Sequence, residues 1–271
     1  MTIKALLSRS DKARVYTSRL QKGGALLEDM RILVRNWTDE ALRDEQRQKA
    51  ILENSLGKRT RSRTAHVFGY AFSQRFLKGN PPGAWKLVRP LEDRDLPLGI
   101  LKPVYYWVTA RSDRLLYDFV AEEIHPKSKG HDPTVRLDET VPWIQRALSK
   151  EAHRWSDGVT LRVAQGMLAA LRDFGILQGR ARKRIAPVYL PAESFSYIAF
   201  VLHMLGSSGE GLVLHTDWKL FLMEPFVVER LLLEAHQRGL LSYHAAGKIH
   251  RIEFKPHTLE EMADVVAGRA F

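Results

Sequence analysis

Apolar residues recur at helical spacing through most of the 271-residue chain. In GALLEDMRILVRN (24–36), Leu26, Leu27, Met30, Leu33 and Val34 share one side of a 3.6-residue period, which predicts an amphipathic helix. Thr38 stands where an N-cap would open a second helix to about Leu56. Asp39 and Glu40 fall in its first turn, where the helix dipole favours acids, and Gly57 ends it. A third helix is predicted over Arg63–Leu77, with Val67, Tyr70, Ala71 and Phe76 facing inward. GNPPGAW (79–85) breaks the pattern and reads as a turn, and helices resume at Leu98–Thr109 and Ser112–Glu123. HPKSKGHDPT (125–134) reads as a loop and as the best domain boundary.

Helices are then predicted over Val141–Arg154 and Thr160–Phe174, the second stopped by Gly175. Ile176–Gln178 and Ile185–Leu190 have the composition of short strands. The same order follows again: helices at Glu193–Leu205, Thr216–Met223 and Pro225–Arg238, then strands at Leu240–His244 and Lys248–Phe254 around Gly247. A short helix over Thr258–Ala267 closes the chain. At an ungapped offset of 64, Leu168, Leu171, Ile176, Leu177, Ile185, Val188 and Leu190 align with Leu232, Ala235, Leu240, Leu241, Ile249, Ile252 and Phe254. Every pair is apolar, which argues for two similar units. A helix followed at once by a β-hairpin is the end of a winged-helix domain, a relative of the helix-turn-helix.

Charge separates the two units. Residues 1–90 carry a net +11, residues 91–191 a net +3 and residues 192–271 a net −3, so the first third holds the whole excess and suits a polyanionic partner. On the helix Thr160–Phe174, Leu161, Ala164, Leu168 and Leu171 form the expected buried stripe. Arg162, Gln165, Ala169 and Arg172 lie opposite, where Arg and Gln can read base edges or hold phosphate. Arg180, Arg182, Lys183 and Arg184 crowd the following loop with no acid among them. In the second unit Gln165 becomes Glu229, Ala169 becomes Leu233, and the wing cations become His244, Ala246, Gly247 and Lys248. Such a face repels phosphate and suits packing or a protein partner. Two further basic stretches are candidates for nucleic-acid contact. One is 57–78, with Lys58, Arg59, Arg61, Arg63, Arg75 and Lys78. The other is 1–22, read as a flexible arm, with Lys4, Arg9, Lys12, Arg14, Arg19 and Lys22.

No motif points to catalysis. LGKRT lacks the spacing of a phosphate-binding loop, GSSGEG (206–211) is not a dinucleotide fingerprint, and neither HExxH nor GxSxG occurs. The histidines are scattered, and pairs such as Asp93/Asp95 and Glu122/Glu123 read as solvated helix ends, so no metal and no cofactor is expected. The chain has no cysteine, hence no disulfide and no thiolate site, and no apolar run approaches the ~20 residues that span a bilayer. A cytoplasmic protein with no membrane partner is expected.

YTSRLQKGGALLEDMRILVRNW (16–37), LGKRTRSR (56–63), SDRLLYDFV (112–120), LRDFGILQGRARKRI (171–185), WKLFLMEPFVVERLLLEAHQRGLL (218–241) and RIEF (251–254), in this order, resemble the BrxA family of bacteriophage exclusion (BREX) defence loci. The first 13 or so residues and 79–103 fall outside the resemblance. It implies a largely helical protein with a bundle similar to the antitermination factor NusB. It also implies double-stranded DNA binding, in a system that methylates host DNA and blocks phage replication. A methyltransferase, a phosphatase-like protein and large ATPases would be partners. No catalytic residue is carried over.

The expected fold is therefore mainly α: a basic helical bundle with its N-terminal arm (1–125), a winged-helix-like unit with a basic wing (126–191) and a second, acidic one (192–271). The expected function is a non-enzymatic DNA-binding accessory acting mainly through phosphate contacts. An RNA-binding NusB-like factor and a protein scaffold within the complex are the alternatives.

Overall fold

The computed structural model describes residues 15–38, 42–151, 154–180, 182–247 and 249–269. The protein is mainly helical with small antiparallel strand pairs. A 3-10 turn, Arg19–Lys22, leads into α1 (Leu27–Asn36), α2 (Arg43–Leu52) and α3 (Arg61–His66). The last continues as a π-helix over Val67–Leu77. Next come α4 (Trp85–Glu92), α5 (Leu98–Ser112) and α6 (Arg114–Phe119), which runs on through a π turn, Val120–Ile124, into His125–Lys127.

Three departures from the predicted elements have physical causes. Thr38 is tied to the second helix from the side: its backbone N–H donates to Gln46 Oε1 and its hydroxyl accepts from Gln46 Nε2, and the described helix α2 begins at Arg43. In the π-helix the wider turn shifts the phase of the buried face. Val67, Phe68, Ala71, Phe72 and Phe76 are therefore buried, while Tyr70, expected inside, is 45% exposed. The helix α4 lies between the predicted turn and the helix predicted from Leu98, and it carries Pro90 inside it. Tertiary contacts outweigh the lost hydrogen bond. Leu87, Val88 and Leu91 are buried, and the buried Glu92 carboxylate accepts from Arg31, Arg35 and Tyr105.

The second part of the chain contains β1 (Thr134–Val135), α7 (Leu137–Ser149), α8 (Asp157–Phe174), β2 (Leu177–Gln178) and β3 (Lys183–Ile185). The strands form one antiparallel sheet in the order β1-β3-β2, with Thr134 opposite Arg184 and Leu177 opposite Ile185. The strand β1 begins at the last residue of the stretch predicted as loop; two residues are too few to show a period. Then follow α9 (Ala192–Met204), α10 (Gly209–Val213), a 3-10 turn over Thr216–Phe221, α11 (Pro225–Gln237), the hairpin β4 (Ser242–Ala246) and β5 (Ile249–Glu253), and α12 (Leu259–Val266) with a capping box between Thr258 and Glu261.

The repeat holds at the two helix ends down to individual bonds. Gly175 and Gly239 both have positive φ (88° and 71°). In one, Ile176 N–H donates to Leu171 O at 2.9 Å; in the other, Leu240 N–H donates to Ala235 O at 2.9 Å. This is the Schellman closure that a glycine after a helix permits. The correspondence stops in the hairpin. Leu177 faces Ile185, but Ile249 faces Ala246, beside the turn, and Tyr243 faces Ile252. Ile185 is 9% exposed and Ile249 75%. The ungapped match of these two isoleucines is thus a match of composition, not of place.

One hydrophobic core runs from Tyr16 to Val266. Trp37 packs on Phe68 and Phe72, Phe76 on Tyr105, and Tyr106 on both Phe174 and Phe221. Arg94, two residues past the end of α4, joins Asp264 on α12 at 2.8 Å, and Arg111 and Trp107 on α5 both donate to buried Asp217. No helix among the described residues is long and apolar enough to cross a membrane.

Candidate nucleic-acid interface

The helix α8 buries Val163, Ala164, Met167, Leu168, Ala170, Leu171 and Phe174. Arg162, Gln165 and Arg172 are exposed, as the period predicts. Leu161, expected in the buried stripe, is instead 41% exposed. It lines an open groove of about 930 Å³ with Thr134, Val135, Arg136, Leu137, Asp138, Val141, Pro142 and Arg182. The groove brings the loop between β2 and β3 to the first turns of α8. Arg136 joins the basic surface here. Sequence reasoning missed it because it follows the unrecognised strand β1.

The β2–β3 loop is tightly turned. Gly179 has φ 93°, and a side chain there would meet Arg182 O at 2.2 Å. Arg180, Arg182 and Arg184 are exposed, whereas Lys183 is half-buried and donates from Nζ to Arg180 O at 3.0 Å. Three guanidinium groups are thus presented outward, and the lysine closes the loop beneath them. Arg172 is engaged with Asp173 at 2.7 Å.

The turn Arg19–Lys22 lies on α8 beside Gly166. A Cβ at Gly166 would stand 2.1 Å from Leu20 O, so only glycine admits this backbone contact. Residues 15–22 are therefore packed rather than a free arm: Leu20 is buried, and Tyr16 OH donates to Asp118 at 2.8 Å. Arg19 and Lys22 are exposed. Gln21 Oε1 accepts from Arg162 Nε at 3.4 Å, and Lys22 O accepts from Arg63 Nη1 at 3.0 Å. The ammonium of Lys22 also sits 5.8 Å from the centre of the Tyr70 ring. Arg19, Lys22, Arg63 and Arg162 are thereby gathered into one neighbourhood. Arg59, just before α3, and Arg61, its first residue, are exposed, and between them Thr60 caps the helix by accepting from Arg63 N–H. Arg14 lies outside the described residues.

Two expected surface cations are spoken for. Arg75 is 6% exposed and donates to the carbonyls of Ala25, Gly24 and Gly23 at 2.8, 2.8 and 3.3 Å. Burial lowers its guanidinium to about 10, against some support from Asp113. It holds the strand of chain that leads from the turn into α1. Lys58 forms an ion pair with Asp29 at 2.7 Å, and Asp29 is buried at the start of α1. Among the described residues, Arg19, Lys22, Arg59, Arg61, Arg63, Arg162, Arg180, Arg182, Lys183 and Arg184 join no ion pair.

The corresponding face of α11 differs in kind. Phe226 occupies the position of Arg162 and is 68% exposed; Leu233 occupies that of Ala169 and is 48% exposed. Glu224, just before this helix, is met by His125 and Lys129.

A structure titled as an uncharacterized protein from Magnetospirillum magneticum is similar to this chain, with 18% identity and a TM-score of 0.56, over 70% of this chain and 95% of that one. That likeness bears on the fold alone. A search of curated proteins finds no match. The BrxA family model matches residues 14–201, which take in the basic turn, α3, α8 and the β2–β3 loop, and the chain belongs to that family, whose members are proteins of BREX phage defence.

Proposed function

We propose that the protein binds double-stranded DNA as a non-enzymatic accessory of a BREX system, through β1, α7, α8 and the β2–β3 hairpin acting as a winged helix. The observation that carries this reading is the set of exposed cations on α8 and its adjoining loop that join no ion pair among the described residues: Arg162, Arg180, Arg182 and Arg184. The strand order β1-β3-β2 around two helices supports the winged-helix comparison. In such domains the second helix faces the major groove and the hairpin reaches the backbone. Most of the contact is with phosphate, so binding is strongly salt-dependent and weakly sequence-selective. The exposed Phe226 and Leu233 favour a different role for 192–271, contact with a protein partner such as another BREX component.

The test is fluorescence anisotropy of a labelled duplex of about 20 bp, repeated across salt. A log–log slope of about −4 to −7, corresponding to roughly five to eight neutralised phosphates, is expected. Replacing Arg180, Arg182 and Arg184 with Ala should reduce the slope by about 2 to 3 without unfolding the protein. Unchanged binding in that variant would remove the wing from the site. An equally tight RNA duplex would favour the RNA alternative.

A further inference from the structure

The two flanks of α8 carry different elements. Leu161 faces the groove that reaches Arg182 and Arg136, whereas Gly166 faces the turn Arg19–Lys22. Five residues separate these two positions, about 140° around a helix of 3.6 residues per turn. Arg162 and Gln165 project between them. The exposed strip of α8 is thus bounded on one side by the hairpin and on the other by the N-terminal turn.

We infer that this turn is a second wing, supplied from the N-terminal side of the chain, which grips the phosphate backbone on the side of α8 opposite the hairpin. The inference rests on the duplex reading of α8. The turn is built for the position. Its carbonyl seats on Gly166, Arg75 ties the following segment from within, and Arg63 is fastened to the carbonyl of Lys22. Its exposed edge presents Arg19 and Lys22. A helix with its side chains is about 10–12 Å across and fills a major groove of about 12 Å. Elements on its two flanks therefore meet the two strands that border the groove. Such contacts add charge neutralisation, not base readout.

The chain has no cysteine, so Lys22→Cys and Arg182→Cys can each carry a single photocrosslinker. Both are expected to label a 20-bp duplex, on opposite strands. The double variant Arg19→Ala/Lys22→Ala is expected to reduce the salt slope by about 1.8, equally on unrelated sequences, with an unchanged circular dichroism spectrum. Labelling from position 182 alone, with an unchanged slope in the double variant, would overturn the second wing and leave the duplex reading standing. Absence of duplex binding by the unmodified protein at low salt would overturn both.

Discussion

At the scale of single residues, Gly166 and Arg75 decide where the N-terminal turn lies. Helix propensity alone predicts that Gly166→Ala stabilises α8 by about 1 kcal/mol. The contact with Leu20 O predicts the opposite sign, because the methyl would have to displace backbone that is held in place. A net loss of about 1–3 kcal/mol is expected in urea denaturation, the range of overpacking in a close-packed site. A more stable variant would show that the turn can lift from α8. Arg75 was legible only as a cation. Its place in VFGYAFSQRFL, among four aromatic residues, was the available signal that its guanidinium serves the interior. The partners it serves are carbonyls about 50 residues away, which no local pattern encodes.

At the scale of elements, the parts legible in the sequence were those set by local rules. The helix ends at Gly175 and Gly239, the first-position Pro225 and the apolar stripes of α1 and α11 follow from period and capping. The basic loop was legible because a run of cations without acids needs no fold to be recognised. The missed elements depend on distant contacts: α4 tolerates Pro90 because Glu92 and Leu91 are held by other helices, and β1 exists because β3 pairs with it. The hairpins offer a direct comparison. Ile185→Ala should cost about 2–4 kcal/mol, as for a buried branched side chain. Ile249→Ala should stay within about 0.5 kcal/mol, as for an exposed position. Equal losses at the two sites would mean that the hairpins share a register after all.

At the scale of the whole molecule, the continuous core predicts dependence of stability on pH from buried groups in different segments. His125 is held below the ordinary histidine value, first by burial and then by Lys129 and Lys219, with Glu224 acting in the opposite sense. His215 is lowered chiefly by burial and also by Arg111, against the pull of Asp217. The unfolded chain therefore takes up these protons more readily. Their contribution is complete above about pH 6.5 and is lost as pH falls below it. Burial alone would raise the Asp217 carboxyl, but Arg111 and His215, with hydrogen bonds from Arg111 and Trp107, hold it below the usual range. Its contribution is present above about pH 3.9 and declines as pH falls further. Calorimetry should show Tm falling between pH 7 and 5 and again below pH 4. A flat profile from pH 7 to 5 would mean that neither histidine is sequestered.

Tyr106 has a consequence for how bound molecules would be arranged. Its ring touches Phe174 at the end of α8 and Phe221 in the turn before α11, and its hydroxyl donates to Leu220 O. The end of α8 and the turn that leads into α11 are bolted to one spar. A duplex lying on α8 and a protein held by Phe226 and Leu233 would then stand at a set azimuth to each other. Stepping the chain along B-form DNA by one base pair would swing that passenger through about a tenth of a revolution. Copies spaced by whole helical turns would hold their passengers in line along one side of the double helix, and copies spaced by half turns would hold them on opposite sides.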